Sequence, residues 1–342
     1  MISNKAPDTE KHNVPKENPV PGELLEFIRE GGKFLIAGHK EPDGDCVGSQ
    51  LVLASVLRRM GKEAVVCSAG PFKRSEVKPY EDLFAPLPAE KSGLRVIVVD
   101  CSAVDRTGDL EPFLEGLPLA MIDHHLVRED AAGPALGPVY VDAHAPSTTF
   151  MILKLIEALG MEPAPEEAEL LFFGLCTDTG FFRYVGSNGA AVFEAAAALV
   201  RLGADPRAAF HDIYSGKSLD SRRLLGIILS RAEAYYGGKL IYSCEEYEES
   251  CRYGLESRDS DSMYQLFQSI SGAEAIAVIR QETPDFCSVG FRSRDWVNVG
   301  DVAASFGGGG HKLAAGFRIE GTIAEIKPRI IKAFESIFNS VP

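Results

Sequence analysis

No apolar run in the 342-residue chain approaches the roughly 18 residues needed to cross a bilayer as a helix. CxxC pairs are also missing. The seven cysteines are scattered and odd in number, the pattern of free thiols in a reducing compartment. Basic charge is in deficit, with 35 Lys and Arg against 49 Asp and Glu and a formal net charge of -14. That excludes the broad basic surface with which a protein grips long nucleic acid non-specifically. It leaves room for a short anionic substrate held locally by metals and a few Arg or Lys. The start of the chain has no apolar segment of the signal-peptide kind, so secretion is not indicated and the expected location is cytoplasmic.

The length fits two ordinary domains. Residues 1–21, rich in Lys, Glu, Asn and Pro, read as a disordered tail. The apolar run Phe34–Ala37 then meets His39-Lys40-Glu41-Pro42-Asp43-Gly44-Asp45, and apolar residues at helical spacing follow. This is a strand, a tight turn and a helix, with the polar residues at the carboxyl end of the strand, where open α/β sheets place ligands. An imidazole and two carboxylates in one bent turn suit Mn2+ or a similar cation. The same residues also suit a turn that caps the helix through Asp45. The basic loop carrying Lys73, Arg74 and Lys78 reads as a solvated connection, with recruitment of phosphate as the alternative.

Leu94–Val99 ends on Asp100, with Arg106 a short turn later, and Leu119–Ile122 ends on Asp123-His124-His125. Strands that stop at Asp or His deliver candidate ligands to one sheet edge. Neighbouring side chains on extended backbone point to opposite sides. His124 and His125 are therefore expected to have separate tasks, with Asp123 or a backbone carbonyl fixing a ring tautomer. Ser147 opens a helix as its cap or as a phosphate-contacting hydroxyl. A buried helix from Pro165 ends at Asp178, followed by Arg183; a carboxylate there needs a partner, and Arg183 is the nearest cation for a phosphate. Residues 186–235, rich in Ala, Leu and Arg, read as a helical connector, and residues 236–342 as a second domain in which strands alternate with helices. There Gly307–Gly310 lie between a helix-like run and a strand. Glycine backbone can form an anion-binding nest, to which His311, Lys312, Arg292 and Arg294 add charge. Cys46, Cys101 and Cys176 adjoin candidate ligands and are expected to point away from them as small buried residues.

His39-x3-Asp43-x-Asp45, Asp100, Asp123-His124-His125 and Asp178, in this order, resemble the four motifs of the DHH phosphoesterase superfamily. Gly307–Phe317 is similar to the signature of its DHH-associated domain. The resemblance runs from about residue 22 to the end. It implies an α/β fold, a parallel-sheet DHH catalytic domain over 22–185 joined by the connector to a smaller α/β DHH-associated substrate domain. It further implies two divalent metal ions, commonly Mn2+, with His39 and Asp43 for one, Asp45 and His124 for the other, and Asp100 and Asp178 as shared carboxylates. His125, Asp123 and Arg106 take the catalytic positions. Ser147, Arg183, Arg292, Gly308, Gly309, Gly310 and His311 take the substrate-binding ones. Two cations about 3.5 to 4 Å apart polarise a phosphoryl oxygen and supply a nucleophilic water near neutral pH, so no nucleophilic side chain is required. Within the superfamily, this chain resembles the compact nanoRNase type, which acts on very short RNA and on 3'-phosphoadenosine 5'-phosphate. A cyclic-dinucleotide phosphodiesterase and a non-catalytic nucleotide-sensing module are the alternatives. A homodimer is implied by the resemblance alone, and neither membrane nor long-DNA binding is expected.

Overall fold

The computed structural model describes residues 18–125 and 137–339, so most of the expected tail at 1–21 lies outside the described residues. The chain forms two units, Met1–Gly216 and Lys217–Pro342. The first runs α1 (Gly22–Glu30), β1 (Lys33–Ala37), α2 (Gly44–Arg59), β2 (Glu63–Cys67), β3 (Leu94–Val99), α3 (Glu111–Leu114) and β4 (Leu119–Asp123). It continues with β5 (Val139–Val141), α4 (Thr148–Ala158), α5 (Pro165–Asp178), α6 (Ala190–Arg201) and α7 (Pro206–Tyr214).

The five strands described here form a parallel sheet in the order β2-β1-β3-β4-β5. Both faces are covered, which explains why the strands are near-continuous apolar runs, with Lys33 and Glu63 at the strand starts, Arg95 second in β3 and Asp123 at the end of β4. Phe34, Ile36, Ile97 and Val99 pack with residues of α2, α4 and α5. Leu35, Ala37, Val96 and Val98 pack on the other side with Leu110 and Leu114. The chain goes from β1 outward to β2 and then back past β1 to β3, so the strand order reverses between β1 and β3. Open parallel sheets bind ligands in the crevice at such a point, and His39 and Asp100 follow these two strands.

The second unit comprises α8 (Leu219–Ser230), β6 (Glu233–Tyr235), β7 (Leu240–Glu245), α9 (Tyr247–Tyr253), α10 (Ser260–Gln268) and β8 (Ala275–Thr283). These are followed by β9 (Phe286–Ser293), α11 (Val299–Ala304), β10 (Gly309–His311), β11 (Ala314–Glu320) and α12 (Ile323–Asn339). Its mixed sheet has the order β10-β11-β9-β8-β7-β6. One face packs with α11 and α12 through Ala277, Phe291, Phe317, Ile330 and Phe334. The other packs with α8 and α10 through Ile276, Val278, Leu224 and Phe267.

The stretch 186–235, read from sequence as a connector, is divided between the units. Val192, Ala195 and Leu199 of α6 and Ala209 of α7 join the first core. Leu224, Leu225 and Ile228 of α8 join the second. Composition shows that these helices have an apolar stripe, but only tertiary packing decides which core receives it. Among the described residues, no helix is long and apolar enough to cross a membrane.

Candidate metal centre

The turn after β1 is both a helix cap and part of a donor cluster. Asp43, not Asp45, is the N-cap of α2, and its Oδ1 accepts from the Cys46 N–H at 3.2 Å. The Asp45 side chain, in the first turn, is then turned inward and fully buried. His39 Nδ1 lies 2.8 Å from the Lys40 carbonyl oxygen. A carbonyl only accepts, so this bond puts the proton on Nδ1 and leaves Nε2 to face the carboxylates. Nε2 is 3.3 Å from Asp100 Oδ2 and 3.7 Å from Asp43 Oδ1.

Asp100 is faced by three imidazoles. Its Oδ2 faces His39, while Oδ1 is 3.7 Å from His124 Nε2 and 3.6 Å from His125 Nδ1. It holds this place with a φ of 57°, a left-handed conformation that costs a non-glycine residue about 1–3 kcal/mol and concentrates at functional sites. Glu41, Phe181 and Phe182 share it, all within four residues of a candidate ligand, as does Tyr236 in the second unit. Asp178, at the end of α5, brings Oδ2 to 3.0 Å from His124 Nε2, and Asp45 Oδ2 lies 3.9 Å from the same nitrogen. Asp45, His124 and Asp178 thus form one group able to hold a cation; His39, Cys46 and Asp100 form a second, and Asp100, His124 and His125 a third.

His124 and His125 differ from the sequence expectation in geometry. They follow β4 in a bend, not on extended backbone, and their ring centroids are 4.4 Å apart. Their partners nevertheless differ. His124 Nδ1 faces the Ala145 carbonyl at 3.3 Å. The backbone N–H and Nδ1 of His125 both donate to Asp123 Oδ1, at 3.1 and 2.7 Å. The His125 side chain is 42 % exposed, so its Nε2 is available to a substrate oxygen.

Charge in this cluster is unbalanced. Burial pushes the Asp45 carboxyl well above its usual range, and the charges of Asp100 and Asp178 push it further. Burial likewise raises Asp100, with Asp43 and Asp178 adding to it against the His39 hydrogen bond. Burial opposes a charged His124, but Asp178, Asp45 and Asp100 outweigh it and lift its pKa from 6.5 to about 9. The same contest at His39, won by hydrogen bonds to Asp100 and Asp43, raises it far above its ordinary value. Burial is also overcome at Asp43, where His39 and then Arg74 hold the carboxyl low, and at Asp123, where His125 does so. His124 Nε2 is buried and makes no well-aligned hydrogen bond, although Asp178 Oδ2 is 3.0 Å away and Asp45 and Asp100 oxygens lie within 4 Å. An imidazole nitrogen facing three mutually repelling carboxylates fits divalent cations, and the oxygen and nitrogen donors fit hard to borderline ions.

Residues not singled out from sequence complete the centre. The α4 N-terminus is aimed at Asp45: the Thr148 N–H donates to Oδ2 at 2.6 Å, and the Thr149 N–H and hydroxyl donate to Oδ1 at 2.8 and 2.6 Å. The Thr148 hydroxyl donates to Asp100 Oδ1 at 3.0 Å. These bonds fix two carboxylates without adding a cation. The basic loop, read as a solvated connection, lies against the ligand turn. Lys73 pairs with Glu41 at 2.6 Å, and Arg74 Nη2 is 3.9 Å from Asp43 Oδ2. Cys46 contradicts its expected orientation. It lies on a helix rather than a strand, so its fully buried thiol stands beside His39 and Asp100. Cys101 and Cys176 are fully buried.

Several expected substrate contacts are occupied otherwise. Ser147 is fully buried and caps α4, its oxygen accepting from the Phe150 N–H at 3.0 Å and lying 2.8 Å from the Thr149 hydroxyl. Arg183 spends Nε on the Gly180 carbonyl at 2.8 Å and Nη2 on the Tyr214 hydroxyl at 3.1 Å. Arg106 is exposed and meets the site through its backbone, its carbonyl accepting from the Lys40 N–H at 2.8 Å. In the second unit, the N–H groups of Gly307 and Gly308 donate to the Ala304 and Ala303 carbonyls of α11, each at 3.0 Å. A nest built on Gly308 is therefore excluded by helix capping. A Cβ at Gly308 would come within 2.3 Å of the Gly316 carbonyl oxygen, which is why glycine is required there. Gly309, Gly310 and His311 instead form the exposed edge strand β10. His311 pairs with Ala314 and Ala314 with Arg292, so both basic residues lie on one sheet face across three strands. The Arg292 guanidinium stacks 4.4 Å from the Tyr264 ring centroid.

A parallel sheet whose strand ends gather carboxylates and imidazoles around a space for cations, followed by a glycine-edged mixed sheet, defines the DHH class of phosphoesterases. The chain matches the DHH family, N-terminal domain, over residues 33–175 and the DHHA1 domain over residues 237–340. It belongs to this family and is a DHH phosphoesterase, a hydrolase. Among named relatives it is 30% identical over 320 residues to the bifunctional oligoribonuclease and PAP phosphatase NrnA of Thermus thermophilus, covering 93% of this chain and 91% of that one. It is 26% identical over 353 residues to the cyclic-di-AMP phosphodiesterase PdeA of Listeria monocytogenes, covering 96% of this chain and 51% of that longer protein. An exopolyphosphatase-related protein from Bacteroides fragilis has the same fold, with TM-score 0.79 and 23% identity over 92% of this chain and 96% of that one.

Proposed function

We propose that the protein hydrolyses very short RNA oligonucleotides, down to dinucleotides, and 3'-phosphoadenosine 5'-phosphate, using two divalent metal ions, of which Mn2+ suits the donors. The observation that carries the reading is the cluster at the β1/β3 switch point, where Asp45 and Asp100 are buried among further carboxylates with no Arg or Lys within ion-pair distance of either among the described residues. His39, Asp43 and Asp100 would hold one ion, and Asp45, His124 and Asp178 the other, with Asp100 between them. Four carboxylates balance two divalent ions, which lets an anionic phosphoester enter without strong repulsion. When bound, such a pair polarises the phosphoryl group and activates water.

The chain's own residues do the rest. His125, held by Asp123, presents Nε2 to the leaving or attacking oxygen as a proton carrier. Thr148 and Thr149 lock two carboxylates. Arg74 supplies a cation at the rim for the phosphate. Arg292, His311 and the Gly309–Gly310 edge of the second unit form a further surface for substrate. Support for short RNA and 3'-phosphoadenosine 5'-phosphate comes from the near full-length match to the oligoribonuclease and PAP phosphatase, and the net charge of -14 argues against long nucleic acid. The PdeA match supports cyclic dinucleotides as the second reading. Homodimerisation and a cytoplasmic location belong to the same proposal.

The test is hydrolysis of 3'-phosphoadenosine 5'-phosphate, a labelled RNA dinucleotide, an RNA 24-mer and cyclic di-AMP, with Mn2+ added or chelated, alongside His124→Ala. Metal-dependent turnover of the two shortest substrates, lost in the variant, is the expected result. Turnover confined to cyclic di-AMP would move the second reading to the front. No turnover of any substrate would favour a non-catalytic nucleotide sensor.

A further inference from the structure

A groove of about 470 Å3 opens in the first unit, lined by His144, Phe150, Asp178, Tyr184, Asn188 and Val192 among others. One wall is a candidate metal ligand, Asp178, so the groove opens directly off the metal centre. Its size and its mixture of apolar side chains with a few polar ones match a small-molecule site.

Tyr184 is the informative residue. It is 74% exposed, yet its position is set by its neighbours. Its backbone N–H donates to the Thr179 carbonyl at 3.1 Å. Its ring lies against Gly180, where a Cβ would come within 2.4 Å of ring carbon Cε2. The Arg183 guanidinium stands 5.8 Å from the ring centroid. A large aromatic surface kept in water and held beside a phosphate-cleaving centre is suited to stacking on a flat heteroaromatic ring.

We infer that this groove seats the base of the nucleoside esterified to the reacting phosphate, stacked on Tyr184, with His144 and Asn188 as its polar neighbours. The inference rests on the phosphoesterase reading above and names where one substituent of the phosphate is recognised. Arg183 is a positioning residue here, acting through the ring.

The test is calorimetric binding of adenosine 5'-monophosphate and of ribose 5-phosphate to the full chain with Mn2+ present. Wild type is expected to bind the nucleotide at least about tenfold more tightly than the base-free phosphate, and Tyr184→Ala to remove about a tenfold share of that ratio. Tyr184→Phe keeps the ring and should keep the ratio. An unchanged ratio in Tyr184→Ala, or an equal loss of affinity for both probes, would overturn the assignment. RNA dinucleotide hydrolysis measured in parallel separates the two readings. A base-dependent ratio that needs Tyr184, without turnover, keeps the groove and overturns the short-RNA activity. Turnover without such a ratio does the reverse.

Discussion

Each unit holds one cluster built on fully buried carboxylate, and the two clusters are satisfied in opposite ways. In the second, Glu245 is fully buried, but Arg258 Nε reaches it at 2.7 Å, Arg280 Nε at 3.1 Å and the Ser250 hydroxyl at 2.6 Å. Arg258 also pairs with Glu282 at 3.0 Å. That network is closed by the protein's own cations. In the first, Asp45 and Asp100 are as deeply buried, yet their neighbours are more carboxylates and three imidazoles. Hydroxyls and a helix N-terminus orient them without neutralising them. A buried charge left uncompensated is costly, so the first arrangement is complete only with added cations, whereas the second is complete as it stands.

This contrast can be broken at either end. The largest effect is expected from Asp100→Asn, which removes the carboxylate between the two groups. Hydrolysis with Mn2+ should fall by about a thousandfold or more, the equivalent of several kcal/mol of transition-state stabilisation, read from initial rates. Glu245→Gln should instead cost stability, about 3–5 kcal/mol for breaking a buried pair, seen in chemical unfolding without metal; a loss below 1 kcal/mol by the same rule would mean that the network is not closed. Thr149→Val removes one hydroxyl that fixes Asp45 and should weaken metal binding by about 10- to 100-fold, measured by calorimetry, while Thr149→Ser retains it.

Metal affinity should also rise with pH. The metal-free His124 imidazole, with its pKa near 9, carries a proton at neutral pH that a cation must displace. Each displaced proton makes affinity climb about tenfold per pH unit until the group is neutral. In the metal-free protein the raised pKa means that the stabilising charge of His124 is fully present below 6.5 and is lost as pH rises through about 9. The smallest expected effect has the opposite sign from the Glu245 result. Because folding raises the Asp100 pKa, its charged form opposes the fold at neutral pH. Asp100→Asn should therefore raise the melting temperature of the metal-free protein by a few degrees and reduce the further rise on adding Mn2+.

Much of the centre was legible because its polar residues close or directly follow apolar runs. His39, Asp100 and Asp123 end strands, and Asp178 ends a buried helix, so periodicity alone exposes them. Thr148, Thr149 and Arg74 were not legible in the same way. A hydroxyl at a helix start reads as a cap whether or not a carboxylate from 103 residues earlier lies across from it. Arg74 looks solvated until its loop folds against the His39–Asp43 turn. Ser147 shows the reverse case, where one hydroxyl fits a cap and a phosphate contact equally, and burial alone chose the cap.

What the sequence by itself determined is the donor set and the α/β order, since strand and helix periods and the residues that interrupt them are local properties. Tertiary structure decided which donors meet, with Asp100 facing three histidines, Cys46 turned toward the cluster and Gly308 spent on capping a helix. It also decided which core takes each helix of 186–235 and where Tyr184 is held. Those outcomes depend on which distant segments meet, and the burial and unpaired charge they create exist only once the chain has packed.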